Sequence, residues 1–171
     1  DGDVDVLVRN YQHDPVLHEL EVPDDELPDL QHHFWSVERT ERVATAGQVI
    51  DRMGPTVVFC RTKRGAERVA KQLTNAGVTA AAIHGDRSQN QRDRALEDFR
   101  AGRAQALVAT DVAARGIHVD DVAAVIHFDP PEDPKDYVHR SGRTARAGAR
   151  GVVVSLVLPD QASMITGLQR S

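Results

Sequence analysis

The sequence has 171 residues, of which 40% are hydrophobic and 27% are charged, as is typical of one globular domain and not of a disordered chain. Its formal net charge of −5 argues against a free-standing nucleic-acid-binding protein, since such proteins are usually basic. The single cysteine, Cys60, excludes an internal disulfide and a cysteine-based zinc site, and it fits a cytoplasmic protein. No apolar run is long enough for a membrane span or a signal peptide.

The first residue is not methionine, and we expect the sequence to be part of a longer protein. Residues 1–28 are acidic and are interrupted by three prolines, and their strand-like apolar spacing has no flanking helices. We interpret residues 1–28 as a linker with the remnant of an upstream unit, and as a candidate region for self-association. The main domain is then residues 29–171.

From about residue 30, short apolar strands alternate with amphipathic helices. Strands are predicted at His32–Val37, Thr56–Cys60, Thr79–Ile83, Ala104–Thr110, Val122–Phe128 and Gly151–Leu158. Helices are predicted at Thr40–Met53 and Lys63–Ala76, after a capping box formed by Ser88 and Gln91, and after the N-cap and proline of Asp133-Pro134. This alternation predicts an α/β fold, with a mostly parallel sheet that is covered by helices on both faces.

Isolated aromatic and histidine residues are predicted to be structural. Trp35 lies inside a strand pattern and should pack in the core, and His32 and His33 should flank a strand. His84 and His127 follow strands and should be hydrogen-bonded within the fold. The eight histidines show no metal-ligand spacing.

Ligands of such sheets bind beyond the carboxyl ends of the strands, so the segments after the strands are the candidate site. The richest is His139–Gly148, HRSGRTARAG. Arg140 and Arg143 would share one side of a helical turn, and Arg146 can point the same way after a loop of small residues. A guanidinium binds two phosphoryl oxygens at once, so the cluster suits a polyphosphate. The alternative is a solvated, arginine-rich surface turn.

Two further segments follow their own strands. In Val108–Asp121, Thr110 can donate a hydrogen bond to a phosphate and Asp111 can orient an arginine, although Asp111 could equally cap a helix. In Ile83–Asp93, Gln89 and Arg92 lie at a helix start, where backbone amides favour anions. The alternative is that both are ordinary polar residues of a first helical turn.

Together, these segments resemble the C-terminal lobe of DEAD-box helicases of superfamily two, from about residue 30 to residue 160. VVFCRT resembles motif IV, HGDRSQNQR the QxxR region, VATDVAARGI motif V and HRSGRTARAG motif VI. The resemblance implies a RecA-like parallel sheet. It also implies that residues 1–28 are the end of the first lobe and the interlobe linker.

The resemblance also implies roles by position. Arg146 would be the arginine finger on the γ-phosphate of ATP, with Arg143 beside it. His139 and Arg140 would couple motif VI to the other lobe, and Gly116 would let the main chain approach the nucleotide closely. The implied RNA-facing residues are Arg61, Thr62, Gln89, Arg92, Thr110 and Asp111.

Two departures from the full pattern matter. The family usually has Asp, which contacts the ribose of the nucleotide, where this chain has His118; an imidazole is not a fixed anionic acceptor. The chain also contains neither a GxxxxGK[ST] phosphate loop nor a DEAD box, since Asp24-Asp25-Glu26 lies between prolines and not after a buried strand. We therefore expect the Mg²⁺ ligands and the rest of the ATP site to lie on an N-terminal RecA-like lobe.

The predicted function is the C-terminal lobe of an ATP-dependent RNA helicase, inactive alone, that closes with the N-terminal lobe on ATP and RNA and separates short duplexes. One alternative is a superfamily-two DNA helicase lobe. The other is a non-catalytic nucleic-acid-binding or dimerisation module. The presence of both Arg143 and Arg146 argues against that module, because a site that has lost its catalytic function has no need of both.

Overall fold

The computed structural model describes residues 30–115, 119, 122–145, 150–163 and 165. They contain one six-stranded sheet in the order β1-β6-β5-β2-β4-β3, in which every neighbouring pair is parallel. The strands are β1 (Leu30–Ser36), β2 (Thr56–Phe59), β3 (Ala80–Ile83), β4 (Ala106–Ala109), β5 (Ala124–His127) and β6 (Gly151–Val157). The predicted parallel α/β fold is confirmed.

Three of the four predicted helices begin where the sequence signals predict, and the first begins at Arg42, two residues after the predicted start at Thr40. The helices are α1 (Arg42–Met53), α2 (Lys63–Asn75), α3 (Gln89–Arg100), the single turn α4 (Asp111–Ala114) and α5 (Pro134–Ser141), followed by a 3₁₀ turn at Pro159–Gln161. Ser88 and Gln91 form the capping box of α3. Asp133 accepts a hydrogen bond from the amide of Lys135 and so caps α5. These local bonds satisfy amide groups that the first turn of a helix leaves unpaired.

Helices cover both faces of the sheet. Helices α1 and α2 pack on one face, where Ile50 and Leu73 are buried against Val58. On the other face, Phe99 of α3 and Tyr137 of α5 belong to a second core with Val57. Adjacent strand residues thus serve opposite cores, as the alternation of side chains along a strand requires. No helix of the described ranges is long and apolar enough to cross a membrane.

The aromatic and histidine predictions are mostly confirmed. Trp35 is buried, and His84 lies with its Nε2 2.6 Å from the Glu67 carboxylate. His127 is buried at the end of β5. The prediction that His32 and His33 flank the first strand is wrong. Strand β1 begins earlier, because Leu30 already pairs with Gly151 in the ladder to β6.

Residues 1–29 lie outside the described residues, and so does the predicted linker.

Candidate functional site

The candidate site lies along the carboxyl edge of the sheet. Because all strands are parallel, the segments that follow them emerge at the same edge. The strand order places the segments after β5, β2, β4 and β3 side by side. Asp129 follows β5, Arg61 and Thr62 follow β2, and Thr110 and Asp111 follow β4. The structure therefore brings the sequence-predicted segments together.

A buried arginine joins these segments. The Arg140 side chain donates from Nε and a terminal nitrogen to the two carboxylate oxygens of Asp111, at 2.6 and 2.7 Å. Its other terminal nitrogen donates to the carbonyl oxygen of Asp129 at 2.7 Å. The guanidinium lies 5.2 Å from the ring centre of Phe59, at the end of β2. Arg140 thus spans from the end of β5, across β2, to the start of α4.

This geometry gives Arg140 and Asp111 a positioning role within the fold. Arg140 is only 4% exposed, so any effect on another lobe passes through the segments that it positions. Both oxygens of Asp111 accept from Arg140, so Asp111 orients an arginine, which is one of the roles that the sequence predicted for it. The helix-capping alternative for Asp111 is not observed, because Thr110 is the N-cap of α4 and Asp111 is its first residue.

Arg143 reaches the same region from outside the helix. Helix α5 ends at Ser141, and the chain continues in a turn in which the amide of Arg143 donates to the carbonyl oxygen of Arg140 at 3.3 Å, so the two arginines lie one turn apart. A terminal nitrogen of Arg143 donates to the carbonyl oxygen of Ala114 at 3.3 Å. The two arginines therefore hold opposite ends of α4. His139 is exposed on α5, whereas Gly116, His118 and Arg146 lie outside the described residues.

Asp129 connects this cluster to α1. One of its carboxylate oxygens accepts from Arg42 at 3.1 Å and the other accepts from the amide of Arg61 at 3.0 Å. Arg42 is 6% exposed and lies 4.1 Å from the ring centre of Phe128. Burial lowers the pKa of Arg42, and Asp129 opposes this shift. Sequence reasoning missed the Arg42–Asp129 pair; the available signal was an arginine in the first turn of a helix.

The predicted RNA-facing residues follow β2, β4 and β3, which are neighbours in the sheet, and we call them the polar row. The Thr62 hydroxyl accepts a hydrogen bond from the amide of Gly65 at 3.0 Å. Arg61 is exposed, 3.8 Å from Glu132. Gln89 donates to Asp93 at 2.7 Å in the first turn of α3.

Two further members of that row are more enclosed. Thr110 is buried, and its side chain does not cap α4. Arg92 is half-buried with an Nε that finds no partner among the described residues. Nor do those residues contain a group of three or more potential metal ligands.

Comparison with known proteins gives one consistent result. Residues 41–148 match the family described as the helicase conserved C-terminal domain. The chain is 35% identical over 167 residues to the DEAD-box ATP-dependent RNA helicase CshA of Geobacillus kaustophilus, covering 96% of this chain and 36% of that protein. It is 37% identical over 169 residues to the ATP-dependent RNA helicase RhlB of Pseudomonas syringae pv. tomato, covering 98% of this chain and 43% of that protein. The chain thus spans about two fifths of these relatives' lengths.

Solved structures show the same likeness. A DEAD box protein from Methanococcus jannaschii superposes with a TM-score of 0.77 at 34% identity, over 83% of this chain and 39% of that one. The E. coli DEAD-box protein SrmB, bound to the regulator of ribonuclease activity A, gives 0.77 at 31% identity over 86% of both chains. S. cerevisiae Dbp5 bound to RNA and ADP BeF3 gives 0.73 at 30% identity, over 89% of this chain and 41% of that one. These matches confirm the RecA-like architecture.

Proposed function

Since the chain belongs to the helicase conserved C-terminal domain family, as a C-terminal lobe of the DEAD-box type, we propose that it is one half of an ATP-dependent RNA helicase of the cytoplasm. The other half is an N-terminal RecA-like lobe that holds ATP with Mg²⁺. In this proposal, ATP and RNA bind between the lobes and close them. Closure bends one RNA strand and separates a short duplex locally.

The observation that carries this proposal is the bidentate pair between Arg140 and Asp111. It fixes α4 against the start of the segment that contains Arg143 and Arg146. A guanidinium held at this edge can bind the outer oxygens of a γ-phosphate presented by the opposite lobe, and it stabilises the charge that spreads over them during phosphoryl transfer. Arg146 is the proposed arginine finger, with Arg143 beside it. Gly116 and His118, which follow α4 in the sequence, are proposed to face the nucleotide.

The polar row supports the RNA half of the proposal. Arg61, Thr62, Gln89, Arg92 and Thr110 offer donors along three neighbouring strand ends. Donors of this kind bind backbone phosphates and hydroxyls and not base edges. The lobe should therefore bind RNA with little sequence preference. Dbp5, whose structure with RNA resembles this chain, is a precedent for the ligand.

Exposed apolar side chains support a partner at the same edge. Among the described residues, the exposed large hydrophobic side chains are Val112 on α4 and Val138 on α5, which are 75% and 65% exposed. Both lie on the helices that the Arg140–Asp111 pair joins. Closure of an N-terminal lobe over this edge would remove both from water, and their burial favours association.

The test is the ATP hydrolysis rate of the full-length protein with RNA, with single-stranded DNA and without nucleic acid. We expect clear stimulation by RNA and little by DNA. Equal stimulation by both would support the superfamily-two DNA helicase alternative. Nucleic-acid binding without any hydrolysis would support a non-catalytic module.

A further inference from the structure

Helix α2 carries a line of basic side chains on its outer surface. Arg64, Arg68 and Lys71 are spaced by four and three residues, so they lie on one side of the helix, and all three are exposed. We call these three residues the α2 basic stripe. Within the described residues, none of the three forms an ion pair. Their basic neighbours do: Lys63 pairs with Asp86 at 2.5 Å and Arg87 pairs with Glu67 at 2.6 Å.

The stripe begins next to the predicted RNA-facing residues. Thr62, the N-cap of α2, is one of those residues, and α2 then runs back antiparallel to β2. A rise of 1.5 Å per residue gives the stripe a length of about 10 Å from Arg64 to Lys71. The stripe residues line an open cleft of about 500 Å³ together with Lys63, His84 and two carboxylates, Glu67 and Asp86. Asp86 is paired with Lys63, and Glu67 is paired with His84 and Arg87, so both acidic charges are offset by neighbours outside the stripe. Positive charge therefore continues from the carboxyl edge down the side of the lobe.

The surroundings favour a polyanion as the occupant. The chain carries a net charge of −5, so three exposed cations on one side of a helix, none of them paired with a carboxylate of the described ranges, form a local excess of positive charge. The exposed large hydrophobics of the described residues, Val112 and Val138, lie on other helices. A protein partner would usually need a buried apolar centre with a polar rim, which this surface does not offer. A phosphate backbone needs only spaced cations.

We propose that the α2 basic stripe binds the phosphate backbone of RNA that extends beyond the carboxyl-edge groove. This inference rests on the proposed function, because the groove supplies the strand that the stripe continues. It assigns the stripe a role that depends on RNA length. A short RNA that fills only the groove gains nothing from the stripe, whereas a longer one gains phosphate contacts.

The experiment uses the full-length protein with Arg68→Gln and Lys71→Gln together. Arg64 is kept, because it lies next to the groove. Glutamine keeps helix propensity close to that of the residues it replaces. A matched control carries Arg52→Gln and Arg100→Gln, which remove the same charge from exposed positions in the last turns of α1 and α3, at the opposite edge of the sheet. Thermal unfolding checks that both variants fold.

The measured quantity is the affinity for a short and a long single-stranded RNA at several salt concentrations. Each single-strand phosphate contact contributes about 0.7 to the slope of log affinity against log salt concentration. Loss of two contacts should reduce that slope by about 1.4 for the long RNA. The slope for the short RNA should not change, and the control should match the unmodified protein with both. A partly duplex RNA of the same total length tells whether the flanking segment is bound as a single strand or as a duplex.

An unchanged slope with the long RNA would overturn the proposal and would leave an acidic protein as the candidate occupant. An equal change with the short RNA would overturn it too, because the stripe would then belong to the groove. RNA-stimulated ATP hydrolysis with the short RNA distinguishes failure of the proposed function from failure of this inference alone. If the unmodified protein shows no RNA-stimulated hydrolysis, the proposed function fails. If it does show hydrolysis, but the double substitution does not weaken the salt dependence specifically for the long RNA, only this inference fails.

Discussion

The carboxyl edge of the sheet and the outer side of α2 both carry arginines, but in opposite surroundings. At the edge, Arg42 and Arg140 are buried and paired with carboxylates. On α2, Arg64 and Arg68 are exposed and form no ion pair within the described part of the chain. A buried guanidinium has no donor to offer a ligand outside the fold, and an exposed one holds little of the fold together. The buried pair should therefore position the site, and ligand chemistry should come from arginines outside it.

The largest expected effect is on the chemistry. In the full-length protein, Arg146→Ala should reduce ATP turnover by about a thousandfold or more, the scale of arginine-finger contributions. The free energy of unfolding should change little. Steady-state kinetics and thermal unfolding of the one variant measure both quantities. A loss of turnover below about tenfold would move the finger role to another arginine.

Loss of the buried Arg140–Asp111 pair should instead act mainly on the free energy of unfolding. Arg140→Ala leaves Asp111 partly buried without its bidentate partner. Removal of one member of a buried pair typically costs about 3–5 kcal/mol of folding free energy. Denaturant unfolding of the lobe measures this cost, with Arg68→Ala, from the exposed side of α2, as the control that should change it by less than about 0.5 kcal/mol. Equal costs for the two variants would remove the distinction between buried and exposed arginines.

A smaller effect is expected from pH. Burial lowers the pKa of His127 well below its usual range, and Arg140 and His32 add to the shift. The unfolded chain takes up a proton on this histidine below about pH 6.5, whereas the folded chain does not, so stability is lost as pH falls below that value. The loss is about 1.4 kcal/mol per pH unit. His127→Gln removes the titrating group and should flatten the dependence of unfolding free energy on pH between 5 and 6.5; an unchanged slope would assign it to other groups.

The smallest effect is expected at His118. His118→Asp in the full-length protein restores the carboxylate that is usual in the family, and a charge-assisted hydrogen bond to a ribose hydroxyl is worth about 1–3 kcal/mol at most. The KM for ATP should stay the same or fall modestly, and turnover should hardly change, because the ribose is remote from the bond that breaks. A sharp rise in KM for ATP, but not for 2′,3′-dideoxy-ATP, would mean that His118 itself binds the ribose.

The two regions also differ in how far the sequence alone could predict them. The helix starts at Ser88 and Asp133 depend on residues within three positions and were predicted correctly. The sequence predicted that Asp111 can orient an arginine, but it identified neither Arg140 as that arginine nor the bond of Arg140 to Asp129. These links require β2 to lie between β4 and β5, so that one guanidinium over Phe59 reaches both Asp111 and Asp129. Strand order depends on contacts between residues far apart in the chain, and no local sequence pattern predicts it.

This lobe is proposed to supply only half of an ATPase site. That proposal is tested by the rate of ATP hydrolysis of the isolated 171-residue chain with Mg²⁺ and saturating RNA, beside the full-length protein under the same conditions. The chain has no GxxxxGK[ST] phosphate loop, so its rate should equal the background without enzyme, while the full-length protein hydrolyses ATP in response to RNA. RNA-stimulated turnover by the isolated chain would mean that this lobe carries a complete ATPase site, contrary to the proposal.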